Sequence, residues 1–111
     1  MGAEEEEQSL PLLPFDGDIV CRRDSSGEPQ FNIPQRIKHH SPTGMEWGYG
    51  GSGPADFALN ILALFVDEET AFKLHQSFKW HFVAPLPETG GIIKRADIIA
   101  WLNAHGIEGV A

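Results

Sequence analysis

The residues of this chain best suited to chemistry lie between Thr43 and Leu62, in TGMEWGYGGSGPADFALNIL. Five of the first eleven are glycine: Gly44, Gly48, Gly50, Gly51 and Gly53. Trp47 and Tyr49 are threaded among them, and Ser52 and Pro54 lead into an apolar run. Three kinds of behaviour fit this pattern. Consecutive glycines can present backbone N–H groups as a nest, and a following helix adds its N-terminal dipole, which is how phosphates are cradled. Against that, no Lys-Ser or Lys-Thr follows the glycines, the spacing is not the dinucleotide fingerprint, and Asp56 at the helix start repels an anion. The second behaviour is recognition: amphipathic aromatics on a loop anchor interfaces, and glycines beside them let another backbone or a flat ligand approach closely. The third is structural, with glycines supplying positive φ and both aromatics folded over the apolar helix.

These readings differ in what they expect. A ligand site has the N–H groups of residues 50 to 55 pointing into a cleft. A partner surface has Trp47 or Tyr49 exposed on a flat face. A structural loop buries both. The residues that would carry binding are Trp47, Tyr49, Gly50, Gly51 and Ser52.

Other reactive side chains give weaker patterns. His39 and His40 are adjacent, so on a strand they point to opposite faces, and His75 and His81 lack helical ligand spacing. No CxxC or HExxH occurs, and no metal or cofactor is expected. Cys21, the single cysteine, sits in an apolar stretch and reads as packing; a lone cysteine excludes an internal disulfide. Ser52 in GGSGP lacks the Gly-x-Ser-x-Gly arrangement of a nucleophile elbow, so an N-cap role is the simpler expectation. Lys94 and Arg95 open a C-terminal helix as in a DNA-recognition helix, but Asp97 and a net charge of −8 oppose that reading.

The elements that must position these residues follow from local pattern. Residues 1–14 read as an acidic tail: Glu4 to Glu7 repel one another, and Pro11 and Pro14 interrupt any helix. Leu10, Leu12 and Leu13 are available for docking. GDIVCRRD reads as a strand, closed by the turn chemistry of DSSGEP. QFNI and QRIKHH read as further short antiparallel strands. PADFALNILALFV, Pro54 to Val66, is the strongest helix, with Ser52 or Gly53 as N-cap, Pro54 in the first turn and Asp56 suiting the dipole. Asn60 is its one other polar residue, so it is expected to be buried on nearly every side. A second helix starts at Asp67, its N-cap, with Ala71, Leu74 and Phe78 on one face and Phe72 and His75 beside it. Phe82 to Ala84 and Ile92–Ile93 read as short strands. A last helix spans about Arg95 to His105, with Ile98, Trp101, Leu102 and His105 inward and Gly106 at C′.

WGYGGSGPADFALNIL, Trp47 to Leu62, resembles the signature segment of a family of short uncharacterised proteins of bacteria, phages and plasmids. FVAPLP (82–87) and IIKRADIIAWL (92–102) resemble it as well, and the likeness covers roughly residues 16 to 104. This chain has Lys94 and Arg95 where a Thr or Ser cap is expected for the last helix. The resemblance implies no specific activity; the setting on mobile elements implies an accessory or host-interaction role.

Bulk properties fit a single small domain, 15–111, following the tail. The 111 residues, 41% hydrophobic, support one modest core. No apolar run approaches a membrane span, and the acidic N-terminus does not resemble a signal peptide; a soluble, cytoplasmic protein is expected. Of the net charge of −8, the four glutamates at 4–7 supply −4, leaving twelve acids against eight bases. Direct nucleic-acid binding is not expected. The expected fold is α+β: short antiparallel strands, then two or three helices around a central apolar helix. The expected function is a non-catalytic binding module acting on a protein partner, an accessory protein of a mobile element or phage. One alternative is a phosphate or nucleotide site, or an enzyme, on the glycine loop and helix N-terminus, with His39 or His40 assisting. Another is an acidic nucleic-acid mimic, which requires Asp16, Asp18, Glu68 and Glu69 to align.

Overall fold

In β1, Ile19–Arg23, Ile19 and Cys21 point into the core while Arg22 faces solvent, the period-2 pattern of a half-buried strand. A computed structural model describes residues 16–109 of the chain; the acidic tail and its leucines lie outside the described residues. The turn after β1 is built by Asp24, whose Oδ1 accepts the N–H groups of Ser26 and Glu28. Gly27 takes the positive φ, 88°. The hydrogen bond from Glu28 N–H, with those of Ser26, holds the Asp24 carboxyl below its ordinary pKa. β2, Pro29–Phe31, and β3, Gly90–Ile93, flank β1 in one antiparallel sheet ordered β2-β1-β3. Cys21 faces Phe31 on one side and Gly91 on the other.

The stretch expected to form another strand at 35–40 is instead irregular. It lies along α1, Ser52–Leu62, and its backbone donors go to helix side chains rather than to a strand partner. Asn60 Oδ1 accepts Arg36 N–H at 2.7 Å and Ile37 N–H at 2.9 Å, while its Nδ2 donates to Ile37 O and Asp56 O. The Asp56 carboxylate accepts the N–H groups of His39, His40 and Ser41. Asp56 and Asn60 are one helical turn apart and share a face. Two polar residues in a greasy helix thus supply the acceptors a neighbouring strand would have supplied.

α1 is buried from Gly53 to Leu62 without interruption, as its composition requires. It begins two residues earlier than expected, and Gly51, not Ser52 or Gly53, is its N-cap. Asp56 is turned into the core and away from the helix start, so it plays no dipole-compensating role there. α2, Glu68–Phe78, is capped by Asp67, which accepts Thr70 N–H. Ala71, His75 and Phe78 are its buried residues, and Phe72 is exposed.

α2 does not give way to a strand at 82–84. It widens into a π-helical turn, Lys79–Val83, closed by Ala84 N–H to Lys79 O at 2.8 Å. A widened turn rotates the following side chains off the α-helical stripe, and such turns recur at functional positions. α3, Arg95–Ala104, has no cap from Lys94. Asp18, 77 residues earlier, accepts Arg95 N–H at 2.8 Å and fills that role. Ile98, Trp101 and Leu102 face inward, whereas His105 is exposed; Gly106 takes φ 86° just past the helix. The result is an α+β domain with one antiparallel sheet and helices packed about α1.

Candidate functional site

The glycine loop is held from below by Trp47. The indole is 1% exposed. It donates from Nε1 to Pro87 O at 2.8 Å and meets Phe31 edge-on at 5.5 Å. Arg23 lies over its ring at 4.1 Å and forms a two-pronged pair with Glu46, Nη1–Oε2 3.0 Å and Nη2–Oε1 2.9 Å. The Glu46 hydrogen bond holds the Arg23 guanidinium above its ordinary pKa. Trp47 is therefore a core residue, which corrects the expectation that it offers a binding surface: an indole with its N–H satisfied and both faces covered has nothing left to present. Gly48 N–H donates to Val83 O, and Gly53 is needed for close approach, since a Cβ there would sit 2.8 Å from Glu46 Cβ.

Above this anchor the loop behaves differently. Tyr49 is 53% exposed and Trp80, on the π-helical turn, is 61% exposed. The Trp80 ring lies over Gly50, and the edge of the Tyr49 ring meets Gly51. A Cβ on Gly50 would fall 2.1 Å from the Trp80 ring, and one on Gly51 would fall 2.5 Å from the Tyr49 ring. Neither glycine is among those with positive φ, which include Gly44 and Gly48. Gly50 and Gly51 are required for close approach, not for turn geometry. The flat groups that approach them are the chain's own side chains.

Lys79 ties the two parts together. It is only 5% exposed, donates from Nζ to Gly50 O at 2.9 Å, and sits 4.4 Å from the centre of the Trp80 ring. A buried ammonium satisfied by a carbonyl and an aromatic face is stably placed, and it fixes the π-helical turn to the loop. Its ammonium is turned to Gly50 O, not to the helix N-terminus where an anion would bind. Ser52 is exposed at the start of α1 with Gly51 as the cap residue. Three surface cavities of about 460, 450 and 370 Å³ are lined elsewhere, with no residue from 50 to 55.

Sequence reasoning brought Tyr49, Gly50, Gly51 and Ser52 to this surface and missed Lys79 and Trp80. The signal for Trp80 was its place off the Ala71–Leu74–Phe78 stripe. Cys21 is buried as expected, and burial pushes its thiol up to about 11, so it is an unreactive packing residue.

A second cluster joins histidines that sequence spacing kept apart. His40 Nε2 and His75 Nε2 lie 2.9 Å apart with rings stacked at 5.0 Å. His39 meets His40 and Phe72 edge-on. Burial holds the His75 imidazole below its ordinary pKa. Among the described residues, no three His, Cys, Asp or Glu side chains gather as a metal set. Beside this cluster is the cavity of about 460 Å³, lined by Ile37, His39, Leu59, Glu68, Glu69, Phe72 and Lys73. Asp18 serves as the α3 cap, while Glu68 and Glu69 open α2, so these acids have local structural roles. No helix among the described residues is long and apolar enough to cross a membrane.

The chain belongs to a family of unknown function (DUF6166), whose model matches residues 14–104. No curated protein and no solved structure matches it.

Proposed function

We propose that this member of a family of unknown function is a non-catalytic binding module that docks a protein partner on the Tyr49–Trp80 surface. The observation that carries this reading is the pair of half-exposed rings on adjacent glycines, Trp80 against Gly50 and Tyr49 against Gly51. Burying such rings in a complex is favourable by roughly 25 cal/mol per Å² of apolar area, and Tyr and Trp lead among residues that dominate binding energy. The rings are preorganised. Gly50 and Gly51 leave room for the rings to sit close to the loop, Lys79 braces Trp80, and Trp47 fixes the loop beneath, so little side-chain entropy is left to lose on docking. Ser52 lies exposed at the edge of the same surface. The net charge of −8 disfavours a nucleic-acid partner. An accessory role on a bacterial or phage element is part of the proposal and rests on the resemblance of Trp47 to Leu62 alone.

The test uses the full chain and a Tyr49→Ala/Trp80→Ala double variant, each immobilised against extract of the source cells. A partner recovered with the wild-type chain is then purified and its affinity measured for each form. The double variant is expected to bind at least tenfold more weakly. Gly51→Ala, whose added Cβ displaces the Tyr49 ring, is expected to fall between. Equal affinity for wild type and the double variant contradicts the proposal.

A further inference from the structure

We infer that the His40–His75 pair is a proton-operated latch that fastens the 37–41 segment to α2. His75 Nδ1 is 2.6 Å from Phe72 O. A carbonyl only accepts, so Nδ1 carries the proton and Nε2 of neutral His75 has a free lone pair. That lone pair faces His40 Nε2 at 2.9 Å, so His40 donates. The Gln76 side-chain amide approaches the same nitrogen at 3.4 Å.

One proton thus occupies the space between two imidazoles that are 35 residues apart in sequence. A proton added to His40 goes to its outer Nδ1 and leaves the bridge in place. A second proton, added to His75 as well, has only Nε2 to go to, where it sets N–H against N–H and breaks the bridge. The latch therefore opens on the doubly protonated pair and not before.

The surroundings set which part moves. Asp56 of α1 holds the backbone N–H groups of His39, His40 and Ser41, so the segment stays on α1. Asp56 is the one anionic group acting on His75 from α1, and it opposes the effect of His39 and His40, which disfavour its charge. On α2, Glu68, Glu69 and Lys73 line the groove next to His39, with Phe72 among them and Leu59 and Ile37 also lining it. Breaking the bridge frees the α2 side of this surface groove, where Phe72 already stands exposed. Burial of His75 places the opening step on the acid side of the ordinary imidazole range.

The test is a pH titration of the full chain, labelled with ¹⁵N in histidine, from pH 8 to pH 4.5, with amide exchange followed in parallel. His75 is expected to hold the Nδ1–H tautomer at pH 8 and to take its added proton on Nε2 below the ordinary imidazole range. In the same step, protection of the amides of Phe72 to Gln76 is expected to fall at least tenfold, with Asp56-bound His40 and Ser41 less affected. His40→Gln keeps a donor for His75 Nε2 and removes the neighbouring charge, so the step is expected to move to higher pH. His39→Ala is expected to leave a step confined to the same amides. Protection independent of pH in the wild type, or a step unmoved by His40→Gln, overturns the inference.

Discussion

The two faces of the segment around α1 solve opposite problems. On one, Asp56 and Asn60 meet the backbone of residues 36–41, and every described bond is internal: five N–H groups and a carbonyl of that segment are taken up by two side chains. On the other, Gly50 and Gly51 hold Trp80 and Tyr49 in place while most of each ring's exposure remains. The contrast teaches how to sort unusual residues in a small domain. Polar groups inside an apolar helix are explained once their hydrogen bonds are counted. Half-exposed aromatic rings on a rigid glycine seat are not explained by the fold, because moving them into water would cost it little.

That contrast can be broken or sharpened by substitution. The largest effect is expected at Trp47, which belongs to the core despite its place in the glycine loop. Trp47→Ala removes a buried indole and its bond to Pro87 O, and is expected to cost about 4 kcal/mol, lowering the thermal midpoint by well over 10 °C. Asp56→Ala comes next. It leaves three N–H groups, that of buried Ser41 among them, without their acceptor and is expected to cost about 2 kcal/mol by denaturant unfolding. Asn60→Leu keeps the branched shape but strands two N–H donors, those of Arg36 and Ile37, for a loss of about 2 kcal/mol. If either polar change were neutral, the Asp56 and Asn60 side chains would not be what holds residues 36–41.

A smaller effect is expected from acid. The pKa of His75 is lower in the fold than in the unfolded chain, so below the ordinary imidazole value of about 6.5 the unfolded state binds more protons. Stability is then fully present above that pH and declines as pH falls through it. Thermal unfolding scanned from pH 8 to pH 5 should show a plateau followed by a fall, and the fall should shrink in His75→Gln. A rise in stability towards acid over that interval would have the wrong sign.

Much of the fold was legible because its signals are local. Ile19 and Cys21 alternate with polar neighbours, Asp67 precedes two glutamates, Gly106 follows a helical stripe, and each element stands where its pattern put it. What escaped was set by residues distant in sequence. Gln35 to His40 alternate like a strand, but their hydrogen-bond partners are side chains of α1, and no local pattern distinguishes the two. The cap of α3 comes from Asp18, and the partner of His40 is His75. The π-helical turn at Lys79–Val83 leaves no clear mark in composition, yet it places Trp80 on Gly50. Of the candidate site, Tyr49, Gly50, Gly51 and Ser52 were legible as a loop before a helix. Trp47 was not separable from Tyr49, because burial of one and exposure of the other depends on Arg23, Phe31 and Pro87.

The smallest effect is the most telling. Tyr49→Ala/Trp80→Ala removes two large aromatic side chains from a 111-residue chain. If they serve contact rather than folding, thermal unfolding of the purified double variant should show a loss of no more than about 1 kcal/mol, as for surface positions. A loss approaching that of Trp47→Ala would make the rings part of the core's support and would contradict a surface kept for a partner.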